Sequence, residues 1–199
     1  MSSFSLWSQT SLGQSLFVEE KKALSNFLPA LKGDIAVQYG YAGTSSMLDM
    51  SDIEHKIFLQ ATEHPDTQSF SPGHYGDLQP LYVDSGAVLP FASSSVDLCI
   101  LAHMLDFADD PHHLLRESRE ILVSGGHLII LGFNPYSLWG GRKLFSRRQT
   151  PWNSHSFSVY KVRDWLSLLD FQVSSGMMLY YSPPIQRQRL RQRFLFMEH

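Results

Sequence analysis

Between residues 15 and 31, apolar residues recur at helical spacing: Leu16, Ala23, Leu24, Phe27, Leu28 and Leu31. The pattern predicts a first helix, with Glu19 and Glu20 toward its positive end and Pro29 straining its last turn. Gly33 breaks the chain, and Ile35 to Tyr39 then reads as a short buried strand. His55 to Ala61 reads as a second strand and Leu81 to Val83 as a third. The intervening residues 62–80, rich in Pro, Gly, Ser, His and Asp, read as loop.

The pattern sharpens after residue 95. Val96 to Ala102 is a continuous apolar run, the signature of a parallel strand covered on both faces. Asp109 or Asp110 caps the next helix, and Pro111 suits its first position, where a missing N–H is harmless. Leu114, Leu115, Ser118, Ile121 and Leu122 form the inward stripe, and Gly125-Gly126 is the expected left-handed stop. His127 to Gly132 reads as a further buried strand. Residues 134–157 are a long connection, aromatic and basic. Ser158 caps a helix to about Leu169 with Val162, Trp165, Leu166 and Leu169 on one face, and Phe171 to Val173 begins another strand. Strands and helices alternate, so the fold class is α/β, a Rossmann-like, doubly wound and mostly parallel sheet flanked by helices. The chain divides into an N-terminal helical lid (1–32), a core (33–180) and a basic tail (181–199) within one domain.

At 199 residues the chain fits one domain, ~100–200 residues being usual. The single cysteine, Cys99, excludes an intramolecular disulfide. With no apolar run of membrane-spanning length and no basic-then-apolar leader, a cytoplasmic protein is expected. Charge is unevenly spread. Residues 1–136 hold 6 Lys and Arg against 16 Asp and Glu, whereas residues 137–199 hold 10 against 3. Arg142, Lys143, Arg147 and Arg148 form one basic cluster, and Arg187, Arg189, Arg191 and Arg193 another. They are either a solvated surface and tail or a site for an anionic partner such as RNA. His112 and His113 are adjacent and point ~100° apart on a helix, so no metal is expected. Phosphate-loop and serine-hydrolase motifs are missing.

Residues 89–141, strand, loop, helix, Gly-Gly and strand, resemble the second half of a class I S-adenosylmethionine-dependent methyltransferase. The run Gly132-Phe133-Asn134-Pro135-Tyr136-Ser137-Leu138-Trp139-Gly140 is similar to a small proteobacterial subgroup with a degenerate glycine-rich loop. The resemblance implies S-adenosylmethionine as cofactor, S-adenosylhomocysteine as product, and cofactor contacts at the C-terminal ends of the strands. The family's Gly-x-Gly-x-Gly loop corresponds here to Gln38, Tyr39, Gly40, Tyr41, Ala42, Gly43 and Thr44. Gln38 stands for the usual acid, Ala42 for the second glycine and Thr44 for the third. Gln60 or Thr62 stands where the family has a ribose-binding acid. Asp84, Ser85 and Leu89 fall at the adenine region, and Ala102, His103 and Met104 at the methionine end.

His103 is the candidate general base, or else a loop histidine bonded to backbone. Asn134, Tyr136 and Trp139 face the substrate side, where a small molecule or RNA is the acceptor; Trp139 and Trp152 either stack on it or close a lid. Asp106 either binds substrate or caps locally. Trp7 with Ser11 and Gly13 suggests an N-terminal lid. The family sheet ends in a two-strand hairpin, for which the residues after Arg193 are too few. A fragment, or an open sheet edge covered by a partner such as a second copy, is therefore expected. Two functions remain: methyl transfer, or a catalytically inactive binding module on the same fold.

Overall fold

The computed structural model describes residues 3–41, 43–62, 79–84, 86–134 and 156–179. Five parallel strands form one sheet: β1 (Ile35–Tyr41), β2 (His55–Thr62), β3 (Leu81–Asp84), β4 (Val96–Ala102) and β5 (Leu122–Leu131). Their spatial order is β3-β2-β1-β4-β5. The helices are α1 (Ser3–Ser8), α2 (Ser11–Leu24), α3 (Met104–Phe107), α4 (Pro111–Ile121) and α5 (Val159–Leu168).

Both faces of the central strands β1, β4 and the second half of β2 are buried, as their apolar runs require, whereas β3 at one edge is largely exposed and β5 at the other is only partly covered, so His127 to Leu131 are not the buried strand expected. On one face Val37, Tyr39, Tyr41, Leu59, Cys99 and Leu101 meet Phe4 and Trp7 of α1, Leu16 and Phe17 of α2, and Leu115 and Ile121 of α4. On the other face Ala36, Leu98 and Ile100 meet Leu24, Leu28, Met47 and Leu48. The starts of β1 and β4 are pinned by Asp97, whose carboxylate accepts from the backbone N–H groups of Asp34 (2.8 Å) and Ile35 (3.0 Å). Gly33 is needed there, because a Cβ would stand 2.3 Å from Asp97 Cβ.

Three elements depart from the sequence expectation. The first helix starts earlier, at Ser11, because Thr10 caps it by accepting from Gly13 N–H (3.2 Å). It ends at Leu24, and Pro29 instead opens a short 3₁₀ turn, Leu28–Ala30. Helix α4 stops at Ile121, ahead of the glycine pair. The N–H groups of Ser94 and Ser95 donate to its last carbonyls, those of Glu120 (2.9 Å) and Ile121 (2.8 Å), so no glycine cap is required. Gly125 and Gly126 lie inside β5, where the register with β4 shifts between Val96 and Leu98. Phe171 to Val173 do not form a strand; residues 171–179 have no regular structure. Ser158 caps α5 as expected, accepting from Lys161 N–H (3.3 Å), and Asp110 rather than Asp109 caps α4. None of the helices among the described residues is long and apolar enough to cross a membrane.

Candidate functional site

Strand order reverses between β1 and β4. At such a switch point two neighbouring loops diverge and leave a crevice beyond the strand ends, where ligands of open α/β sheets bind. Gly40 and Ala102 are register partners there, and Gln60 lies beside Gly40 on β2.

On the β1 side the expected glycine turn is replaced by a polar lock. The strand runs on through Tyr41, so Gly40 is a strand residue, and the turn comes at Gly43 with φ +91°. Thr44, fully buried, covers Gly40: a Cβ on that glycine would stand 3.1 Å from Thr44 Oγ1, which donates to Tyr41 C=O (2.7 Å). Gln38 is also fully buried. Its amide donates to Ser45 C=O (2.9 Å) and accepts from Met47 N–H (2.7 Å), folding residues 45–47 back on the sheet. A carboxylate at this position would lack the donor to Ser45. Ala42 lies outside the described residues.

Tyr39 is buried on the opposite face, with its hydroxyl 3.4 Å from Asp84 C=O. Burial, with the Asp84 charge second, pushes its pKa up to about 12. Gln60 is buried, and Asp84 is exposed at the end of β3. Leu89 is buried in the core cluster, its N–H 3.3 Å from Glu117 Oε2 of α4. Asn134 donates to Met178 Sδ (3.3 Å). Ser85, Tyr136, Trp139, Trp152 and both arginine-rich clusters lie outside the described residues.

The β4 side holds a buried charge cluster. His103 is 1% exposed and has φ +58°, a left-handed backbone that costs a side-chain-bearing residue ~1–2 kcal/mol. Its Nε2 lies 2.9 Å from Glu20 Oε1 on α2, and its Nδ1 lies 3.4 Å from Asp106 Oδ2 on α3. Glu20 and Asp106 are themselves 4% and 2% exposed. Asp106 also accepts from Phe133 N–H (3.0 Å), tying α3 to the end of β5, while His103 N–H donates to Leu131 C=O (2.9 Å). Burial opposes a charged imidazole, yet the Glu20 and Asp106 carboxylates outweigh it and raise the His103 pKa to about 10. Burial pushes the Asp106 carboxyl up as well. A general base must start unprotonated, so this geometry does not suit His103 to that role. Asp106 bonds within the cluster and to β5. Glu20 Oε2 is buried and has no hydrogen-bond partner among the described residues.

Aromatic rings close over this cluster. Phe133 stacks on the imidazole (4.6 Å between centroids), and Phe4 and Phe17 approach it at 5.7 and 6.5 Å. Phe4 also meets Tyr41 and Phe107, and Trp7 meets Phe133 edge-on. Gly13 allows α1 and α2 to pack this closely, since a Cβ there would stand 2.7 Å from Trp7 C=O. The N-terminal segment therefore roofs the strand ends, with Phe4 and Trp7 as its contacts.

Sequence reading missed Glu20. The available signal was its place in the series Leu16, Glu20, Leu24, a carboxylate in the middle of an apolar helix face. No three His, Cys, Asp or Glu side chains among the described residues are arranged to hold a metal ion.

The five-stranded parallel sheet with its flanking helices is the Rossmann-like fold of class I methyltransferases. It is similar to an S-adenosylmethionine-dependent methyltransferase from Thermotoga maritima (TM-score 0.59, 20% identity, 79% of this chain and 72% of that one). It is also similar to one from Aquifex aeolicus (TM-score 0.55, 12% identity, 80% and 84%). Residues 48–130 match the family described as Methyltransferase domain, a stretch that begins after the Gly40–Thr44 turn and runs through β2 to β5. The chain is also 52% identical over 87 residues to the uncharacterized protein YafS of Escherichia coli (strain K12). That match covers 43% of this chain and 36% of YafS.

Proposed function

We propose that this domain binds S-adenosylmethionine and transfers its methyl group to an acceptor. The observation that carries the reading is the β1/β4 switch point, lying in a sheet most of whose strands belong to the residues that match a methyltransferase domain. The cofactor supplies an already activated methyl group, so the chain has to bind, orient and exclude water rather than build a reactive intermediate. In this reading Ala102 and His103 border the methionine end, Gln60 serves the ribose, and Asp84, Ser85 and Leu89 the adenine. His103 acts as a fixed cation that ties α2 and α3 to β4. Asn134, Tyr136 and Trp139 meet the acceptor, a small molecule or RNA.

A second reading has one observation in its favour. Thr44 covers the face of Gly40 that the family's glycine loop leaves open, which suits a binding module that has lost the cofactor. Isothermal titration calorimetry with S-adenosylmethionine and S-adenosylhomocysteine separates the two. Micromolar binding supports the transferase; no heat and no thermal shift at millimolar ligand leaves the binding module.

A further inference from the structure

The polar groups that a methyltransferase would offer from β1 are committed elsewhere here. Gln38 spends its amide on Ser45 and Met47, and Thr44 covers Gly40. The unused polar capacity at the strand ends is on the other side of the switch point. Glu20 reaches from α2 to His103, the residue after Ala102, and Ala102 is the register partner of Gly40. One of its oxygens, Oε1, is engaged at 2.9 Å, while the other, Oε2, is buried without a hydrogen-bond partner among the described residues.

A buried carboxylate oxygen without a donor is costly, because it has lost water and gained nothing in return. The surroundings point the same way: two carboxyl groups, Glu20 and Asp106, face one imidazole, so the cluster holds more acceptor oxygens than donors. An N–H donor, and best a cationic one, would satisfy the oxygen; an anion or an apolar group would not.

We propose that Glu20 is a ligand-binding residue whose Oε2 receives the α-ammonium group of the amino-acid tail of S-adenosylmethionine. This rests on the cofactor reading above and adds a residue to it. The N-terminal segment then has two tasks: it roofs the strand ends through Phe4 and Trp7, and it supplies the acceptor for the positive end of the ligand. Binding transfers no proton and breaks no bond; the ammonium enters and leaves charged.

The test is calorimetry on the whole 199-residue chain with three ligands: S-adenosylhomocysteine, the same molecule lacking its α-amino group, and 5′-methylthioadenosine, which lacks the whole tail. In the unaltered protein, removal of the α-amino group is expected to weaken binding about ten- to hundredfold, the range for a lost charged hydrogen bond. Glu20→Gln is expected to weaken S-adenosylhomocysteine by a similar factor and to leave the deaminated analogue and methylthioadenosine unchanged, which also shows that the variant is folded. The proposal is overturned if the unaltered protein binds the deaminated analogue as well as the parent. It is equally overturned if Glu20→Gln binds the parent normally or loses all three ligands alike. If the unaltered protein binds none of the three, the cofactor reading itself fails and takes the proposal with it.

Discussion

Two connections in this sheet solve the same problem by different chemistry. Between β4 and β5 the chain returns through α4, an amphipathic helix that buries Leu114, Leu115, Ser118 and Ile121 against the strands. Between β1 and β2 the described residues of the return, 43–54, have a single 3₁₀ turn, Leu48–Met50, as their regular structure. Parallel strands usually need a helix for this step. Here Met47 and Leu48 cover the sheet, and buried side-chain hydrogen bonds from Gln38 and Thr44 hold the turn in place. One connection is fastened by an apolar stripe, the other by polar locks. An apolar stripe tolerates small adjustments, whereas a buried polar lock fails when one partner is lost.

The largest effect is expected where β4 meets the N-terminal segment. His103→Ala would leave Glu20 and Asp106 buried without their shared cation and place alanine at a left-handed φ, costing about 3–5 kcal/mol in urea unfolding. A loss below ~1 kcal/mol would mean that the cluster is not fastened by charge. The same residue sets a pH dependence. Its pKa rises from 6.5 unfolded to about 10 folded, so the folded state binds the extra proton. The stabilisation is fully present below pH 6.5 and is lost as pH climbs through about 10. Urea midpoints measured from pH 6.5 to about 9 should fall for the parent protein and stay nearly flat for His103→Ala. Tyr39 and Cys99 are pushed up to about 12, so their contributions fade at the alkaline end.

Leu115→Ala, at a fully buried position of α4, should cost ~2–5 kcal/mol through the cavity left against the sheet. Gln38→Leu keeps the volume roughly constant but strands Met47 N–H and Ser45 C=O, at ~1–3 kcal/mol for each buried group left unpaired. Its signature would be local: faster amide exchange over residues 43–50 with α4 still protected. If exchange rose equally in α4, the two connections would not be independent units. The smallest change is Thr10→Ala, which removes the cap of α2 and should lower stability by ~1 kcal/mol. Replacing it by serine should restore most of that.

The legible parts of the fold are those with a local period. Val96–Ala102 matched its strand residue for residue, and Asp110, Pro111 and Ser158 marked helix starts. Other boundaries depended on partners distant in sequence. Gly125-Gly126 resembled a helix stop, but Ser94 and Ser95 already satisfied the last carbonyls, so the glycines entered β5. The stretch from Gln38 to Thr44 resembled a weakened cofactor loop; in the fold Gln38 is bonded to Ser45 and Met47, and Thr44 to Tyr41.

By itself the sequence determined the α/β class, the alternation of parallel strands and helices, and the strand ends among which a ligand site would be sought. Those features follow from side-chain periodicity and capping, which act over a few residues. Tertiary structure alone decided the Glu20–His103–Asp106 cluster, whose first two members are separated by 83 positions in the chain. A buried charge acquires its partners, its protonation and its cost only when distant segments close around it and exclude water, and no local pattern encodes that.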